Sequence, residues 1–249
     1  MHRAAFAELG LEGFSYQLLP VPPELFEETV RALPAAGFVG ANVTLPHKQA
    51  ALALADEASP AALAIGAANT LSFAADGRIY AENTDAPALI ASLPLAAAGA
   101  SAVVLGAGGT ARSAIWALRA AGAAVAVWNR TPERARELAA TLGVSAVDRV
   151  QSADLLCNCT TVGLGPSWAA PKDILQSLAL DTDLLSTYAC VVDFVYGGRA
   201  SSLLAIARGL GVRTVDGLTI LCEQGALSFE LWTGLSAPRS VMARAAAEA

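Results

Sequence analysis

The stretch that most constrains this chain is Ser101-Ala-Val-Val-Leu-Gly-Ala-Gly-Gly-Thr-Ala111. Residues 101–105 form a short apolar run of the kind that fills a buried parallel strand, and the glycines follow without a gap. Residues 112–121 then have helical spacing and end at Gly122, and residues 123–128 read as a second strand. Strand, glycine turn, helix and strand in that order make Gly106-Ala107-Gly108-Gly109-Thr110-Ala111 a G-x-G-x-x-A dinucleotide turn. Its first glycine makes the tight turn and its second lets backbone approach a pyrophosphate, while the small third position lets helix and strand pack closely. The helix N-terminus offers the phosphates unpaired N–H groups and positive partial charge.

The second strand runs into Trp128-Asn129-Arg130-Thr131-Pro132-Glu133-Arg134. An NAD site usually places an acid here for the ribose 2′-hydroxyl, whereas an NADP site places arginine near the 2′-phosphate. No acid stands at the strand end, and Arg130 and Arg134 flank the adenosine position, so NADP is the better reading. The same residues also read as an ordinary capped helix, with Thr131 at the N-cap and Pro132 at the first helical position. Both can hold, because a phosphate at a helix N-terminus uses the same N–H groups.

The 249 residues leave room for one large domain or two small ones. A hydrophobic content of 55% against 15% charged residues suits a packed chain and argues against disorder. The net charge of −6 and the lack of any Lys/Arg run disfavour a nucleic-acid partner. Cys157, Cys159, Cys190 and Cys222 have no paired metal-ligand spacing, and there are only two histidines, so no metal site is expected. Free thiols point to a reducing, cytoplasmic location. The sequence shows no signal peptide and no apolar span long enough to cross a membrane, so no membrane partner is expected. A homodimer is an assembly compatible with this composition.

Taken in order, residues 1–9 have helical spacing, with Ala5, Phe6 and Leu9 on one side and Gly10 as a stop. Residues 14–19 read as a strand, Pro22-Pro23 opens a helix to Leu33, residues 38–43 read as a strand and 46–55 as a helix. After Ser59-Pro60 and a short helix, residues 68–73 and 78–81 form a hairpin across Asp76-Gly77, and Asn83-Thr84-Asp85 caps a helix to about Leu93. This alternation predicts a first α/β unit with its own parallel sheet. Beyond the glycine turn, strands are expected near 154–159, 189–194 and 212–215, while residues 161–187 mix a Gly/Pro loop with short helices. Helices at 218–233 and 238–247 are expected to return to the first unit. The fold class is α/β with two domains. Residues 1–93, completed by 218–249, form a substrate domain, and residues 100–217 form a Rossmann-type, doubly wound NADP-binding domain. Ligands of such sheets lie beyond the carboxyl ends of the strands, so substrate is expected in the cleft between domains.

Hydride transfer to a ketone needs a proton for the oxygen, and the reverse reaction needs a base. His2 at the terminus and His47 on a loop are poor candidates. Lys48 is better: it lies in the first helical turn after Asn42-Val-Thr44-Leu-Pro46-His-Lys48, where the helix dipole disfavours a cation. Asp85, at another helix start, is the obvious partner carboxylate. Position alone favours a surface lysine and a helix-capping aspartate.

Six motifs occur in order: Asn42-Val-Thr-Leu-Pro-His-Lys48, Gly66-Ala-Ala-Asn69-Thr70, Asn83-Thr-Asp85, Gly106 to Arg112, Asn129-Arg-Thr131, and Asp216-Gly-Leu with Gln224-Gly-Ala. Together they closely resemble the shikimate dehydrogenase family, over the length of the chain. The resemblance implies NADPH-dependent reduction of 3-dehydroshikimate to shikimate in chorismate biosynthesis, with Lys48 and Asp85 handling the proton at the reacting oxygen. It implies that Thr44, Asn69, Asp85, Tyr196 and Gln224 hold the substrate. The cofactor contacts it implies are Gly106, Ala107, Gly108, Gly109, Thr110, Asn129, Arg130, Thr131, Arg134, Phe194 and Gly217. Family members also carry a strand, a Gly-x-Pro loop and a Ser-x-Ser pair ahead of a Met-His like Met1-His2, and this sequence shows none of them. Two further readings stand beside the first: an NAD-preferring quinate/shikimate dehydrogenase, which Arg130 and Arg134 oppose, and an N-terminally shortened NADP-binding remnant without turnover.

Overall fold

Short apolar runs separated by Gly- and Pro-marked turns become an α/β chain in the computed structural model, which describes residues 1–164, 171–196 and 201–248. The chain divides into two compact units, Met1–Ala88 with Leu221–Ala249, and Leu89–Ile220.

The first unit begins with α1 (His2–Glu8), and a 3₁₀ turn at Pro23–Leu25 then leads into α2 (Phe26–Ala32). After these come β1 (Gly40–Asn42), α3 (Lys48–Leu54), β2 (Glu57–Ala58), α4 (Pro60–Ile65), β3 (Thr70–Phe73), β4 (Ile79–Glu82) and α5 (Asp85–Ser92). The four strands form one sheet in the order β1-β3-β4-β2. Its core is built from Phe26, Val30, Val43, Ala51, Leu54, Leu71, Ile79 and Ala81. The expected parallel sheet is not what forms. The β1–β3 and β3–β4 pairs are antiparallel, and only β2–β4 is parallel. The hairpin itself dictates the β3–β4 pair. Ala74 N–H donates to Arg78 O at 2.9 Å and Gly77 takes φ +85°, so the chain reverses within five residues and β4 must run back along β3.

The strand expected at 14–19 does not form either. Phe14 and Tyr16 pack with Phe6, Phe229 and Met242, and Arg3 Nε donates to Tyr16 O at 2.7 Å. Leu18, the next residue in the alternation, is 86% exposed. The alternating apolar residues therefore anchor an extended segment without a ladder.

Between β5 (Ser101–Leu105) and β10 (Arg213–Val215) the second unit adds α6 (Gly109–Ala120), β6 (Ala124–Trp128), α7 (Pro132–Leu142), β7 (Ser145–Ala146), β8 (Leu155–Asn158), α8 (Pro171–Ser177), α9 (Thr182–Ser186), β9 (Cys190–Asp193) and α10 (Ser202–Gly209). Of the poorly legible stretch 161–187, residues 165–170 lie outside the described residues. All pairs in this six-stranded sheet are parallel, in the order β10-β9-β8-β5-β6-β7. Strand order therefore reverses between β5 and β8, as in doubly wound sheets. Val103, Leu105, Leu156 and Val191 pack against Ile174, Leu178, Leu185, Leu203, Leu204 and Ala207 on one face. Ala102 and Val104, which alternation sends to the other face, are buried as well. This explains why the strands read as continuous apolar runs.

The chain closes with α11 (Gly217–Thr233) and α12 (Arg239–Ala247). Trp232 on α11 donates its Nε1–H to Leu71 O at 3.0 Å. A Cβ on Gly40 would lie 2.1 Å from that Nε1 and 2.6 Å from Leu71 O. Gly40→Ala is therefore expected to destabilise the fold by about 1–3 kcal/mol, the usual cost of overpacking. Urea unfolding measures this, and an unchanged midpoint would contradict the packing described.

Candidate active site

Lys48 is placed by backbone bonds on both sides of it. Val43 N–H donates to Asn69 O at 2.7 Å, His47 N–H to Thr44 O at 2.9 Å, and Ala68 N–H to Lys48 O at 2.9 Å. The first residue of α3 is thereby locked against the start of β3. Lys48 is buried, and its Nζ lies 2.6 Å from Asp85 Oδ2. The surface-lysine reading thus fails.

Asp85 opens α5, but it is not the cap. Ala86 N–H donates to Asn83 Oδ1 at 3.1 Å, which leaves the Asp85 carboxylate for other partners. Its Oδ2 accepts from Lys48, and its Oδ1 accepts from Asn69 Nδ2 at 2.9 Å. A buried carboxylate and ammonium that remain hydrogen-bonded avoid the penalty of an isolated buried charge.

Asn69 is oriented from both ends of its amide. Its Nδ2 also lies within bonding distance of Thr84 Oγ1 and Gln224 Oε1, at 3.0 and 3.1 Å. Its Oδ1 accepts from Thr84 N–H at 2.7 Å and from the hydroxyls of Thr70 and Thr84. Gln224 is fixed in turn by donating Nε2–H to Leu221 O at 2.9 Å. Lys48, Asn69, Asp85 and Gln224 are therefore brought together in the first unit. Thr44 is exposed in the turn before α3, and Tyr196, 45% exposed, belongs to the second unit.

Thr70, Thr84 and Asn42 support this cluster, and sequence reasoning does not single them out as site residues. Asn42 donates to Ser228 Oγ at 3.0 Å and accepts from Tyr16 OH at 3.0 Å. The available signal is the repeated pair Asn69-Thr70 and Asn83-Thr84, which puts a hydroxyl beside each amide. Of the two histidines, His47 stands apart from this network. His47 stacks on Phe26 with ring centroids 4.3 Å apart, and its Nε2 bonds Val21 O at 2.9 Å. His2 is buried and stacks on Tyr16 with ring centroids 4.3 Å apart, and burial, helped by the nearby N-terminal ammonium and opposed by Asn42, pushes its pKa down to about 4.

In the second unit, strand register aligns Leu105, Trp128, Asn158 and Asp193 in one row at the carboxyl ends. The glycine turn springs from that row. Gly106 takes φ +112°, and a Cβ there would meet Cys159 O at 3.0 Å, so only glycine makes the turn comfortably. Gly108 caps α6 with open space where a side chain would stand, followed by Gly109 and Thr110 in the first helical turn, which carries no acid. Ala107 between the glycines is partly exposed. Open backbone at the start of a 12-residue helix fits a pyrophosphate. Asn129 Nδ2 donates to Thr131 O at 2.9 Å and shapes the next turn. Thr131 occupies the N-cap of α7 without a side-chain capping bond, so capping alone does not account for it. Arg130 and Arg134 are exposed, and among the described residues no ion pair engages them, so both side chains could hold an anion. Gly217 is required by contact: a Cβ there would lie 2.6 Å from Val195 O and 2.8 Å from Phe194 O.

A full-length relative decides the family. An NADP(+) shikimate dehydrogenase of Thermus thermophilus is 43% identical over 256 residues, covering 100% of this chain and 92% of that relative. The chain belongs to the shikimate dehydrogenase family. The NADP(+) shikimate dehydrogenase of Methylobacterium radiotolerans is 44% identical over 250 residues, covering 94% of this chain and 86% of that one. The shikimate dehydrogenase substrate-binding domain model matches residues 1–71, the shikimate/quinate 5-dehydrogenase model residues 90–161, and the shikimate 5'-dehydrogenase C-terminal domain model residues 217–247. Among solved structures, shikimate 5-dehydrogenase from a second strain of Thermus thermophilus, in complex with NADP(H) and shikimate, superposes with a TM-score of 0.86. It is 40% identical, and the match covers 99% of this chain and 92% of that one.

One buried acid in this shikimate dehydrogenase family member lies outside the Lys48 cluster. Asp193, at the end of β9, accepts from Asn158 Nδ2 at 2.9 Å, from Val195 N–H at 3.0 Å and from the Ser201 hydroxyl. Burial outweighs these bonds and raises its pKa to about 6. Among the described residues no cation pairs with it. A carboxyl raised on folding binds its proton more tightly in the folded state, so its effect on stability is lost as pH rises through the window between about 4 and 6. A shift of this size corresponds to about 3 kcal/mol. Asp193→Asn keeps the shape and removes the titration. Its stability relative to the parent is therefore expected to be higher at pH 7.5 than at pH 5, and a pH-independent difference in urea unfolding would contradict this.

Proposed function

We propose that the chain is an NADP-dependent oxidoreductase that reduces 3-dehydroshikimate to shikimate in chorismate biosynthesis. The observation that carries this reading is the buried Lys48–Asp85 pair with Asn69 and Gln224 beside it, in a chain matched end to end by NADP(+) shikimate dehydrogenases. Lys48 gives its proton to the oxygen as the ketone becomes an alcohol, and takes it back in the oxidation direction. Asp85 holds the ammonium in place and balances its charge. Asn69, Gln224 and Asp85 receive substrate hydroxyls, while Thr44 and Tyr196 serve the remaining hydroxyl and carboxylate contacts. NADPH, when bound, supplies the hydride. Gly106, Ala107, Gly108, Gly109 and Thr110 offer backbone to its pyrophosphate, and Asn129, Arg130, Thr131 and Arg134 receive the 2′-phosphorylated ribose. Phe194 and Gly217 complete the cofactor contacts. In domain terms, residues 1–93 with 218–249 bind substrate and residues 100–217 bind NADP. The four free thiols favour action in the cytoplasm, and a homodimer is the assembly we propose, to be checked by sedimentation.

The test is a panel of shikimate and quinate, each with NADP⁺ and NAD⁺, followed by nicotinamide absorbance. Shikimate with NADP⁺ is expected to give the highest kcat/KM. A preference for quinate with NAD⁺ would move the chain to the quinate/shikimate branch. NADP⁺ binding with no turnover on either substrate would make it a cofactor-binding remnant.

A further inference from the structure

His47, the residue before Lys48, is the N-cap of α3, yet its side chain makes no capping bond. Its ring instead lies flat on Phe26 of α2, with centroids 4.3 Å apart and an interplanar angle of 1°. The ring Nε2 stands 2.9 Å from Val21 O. That carbonyl can only accept, so Nε2 carries the hydrogen and donates it. Phe26 belongs to the core of the first unit with Val30, Val43, Ala51 and Leu54, and Val21 packs against the same core. The ring is therefore fastened to a fixed surface. The chain just ahead of it has less to hold it, since Thr44, Leu45 and Pro46 are all exposed. From the opposite direction, Ala68 N–H, just ahead of β3, fixes the Lys48 carbonyl at 2.9 Å. Lys48 thus stands between two clamps. A residue needed only to begin a helix would be better served by Ser, Thr, Asp or Asn, whose side chains reach the free N–H groups.

We propose that His47 is a positioning residue for proton transfer. By pinning the start of α3 to Phe26 and the Val21 carbonyl, it sets where Lys48 Nζ stands against Asp85 Oδ2, 2.6 Å away. The inference rests on the reading of Lys48 as the proton donor. His47 need not touch substrate: it acts through Lys48, whose flexible four-carbon stem needs a fixed root to hold its ammonium in one place.

Kinetics of the full chain test this, with kcat for shikimate oxidation, NADP⁺ affinity and Tm read together. His47→Ala is expected to lower kcat about 10- to 100-fold, the scale of a misplacement of about 1 Å at a reacting group. NADP⁺ affinity should stay near that of the parent, because the glycine turn belongs to the other unit. His47→Phe keeps a stacked ring without a donor and is expected to lose about 10-fold in kcat, whereas His47→Gln, whose amide can reach the same carbonyl, should return to within about threefold of the parent. In the Lys48→Ala background, His47→Ala should lower kcat little further. If His47→Ala lowers Tm at unchanged kcat, or multiplies with Lys48→Ala, the positioning role is overturned while the Lys48 assignment stands. Should His47→Ala fail to fold, His47→Phe and His47→Gln decide in its place, and equal kcat in the two overturns the role. If Lys48→Ala retains most activity, the Lys48 assignment fails first and takes this inference with it.

Discussion

Lys48→Ala is expected to lower kcat for shikimate oxidation by ~10²–10⁴-fold, the usual cost of losing a general acid/base. Asp85→Asn is expected to fall in the same range, because it leaves the Lys48 ammonium buried without its counter-charge at 2.6 Å. Both residues belong to the unit built from Met1–Ala88 and Leu221–Ala249, whereas the glycine turn belongs to Leu89–Ile220. NADP⁺ affinity, measured by titration, should therefore remain near that of the parent in either variant. Retention of most activity by Lys48→Ala would remove it from the proton-transfer step. Loss of NADP⁺ binding in step with activity would instead mark a failure of folding.

The second large effect concerns cofactor choice. Arg130 stands just past β6 and Arg134 in the first turn of α7, both exposed. Arginine suits phosphate because its planar fork makes several charge-assisted bonds at once. Replacing both by alanine is expected to weaken NADPH by ~10²-fold, the lower end of two such bonds at an exposed site, and NADH only slightly. The NADPH penalty should shrink as salt rises, since screening weakens exposed charge pairs. Equal losses for the two cofactors in fluorescence titration would show that these arginines do not read the 2′-phosphate.

The nucleotide-binding half is the most legible from sequence, for a physical reason. A parallel sheet covered on both faces makes each strand an uninterrupted apolar run, and Val103-Val104-Leu105 leads straight into the glycines. The first unit hides more. Apolar runs do not encode strand direction, so the alternation predicts a parallel sheet where the β3–β4 hairpin and the β1–β3 pair are antiparallel and β2–β4 alone of the three pairs is parallel. The run Phe14, Tyr16, Leu18 alternates like a strand, yet Arg3 occupies the Tyr16 carbonyl and the aromatic rings serve the packing of α1. The two-residue strands Glu57–Ala58 and Ser145–Ala146 are too short for any pattern to mark.

At the candidate site, sequence position argues for a surface lysine and a capping aspartate, and only the ordered motifs join Lys48 to Asp85. What position does not convey is that Asn83 takes over the capping bond and releases Asp85. The hydroxyls of Thr70 and Thr84 are equally hidden, since their role is to aim Asn69 rather than to stand out as reactive groups.

The central claim is that Lys48 and Asp85 act as one unit on the proton. It is tested most directly by kcat for shikimate oxidation in Lys48→Ala, Asp85→Asn and the double variant, each checked for NADP⁺ binding. A unit disabled by either loss predicts that the double variant falls little below the worse single one. Losses that multiply, with all three variants still binding NADP⁺ normally, would show two independent contributions and contradict the account.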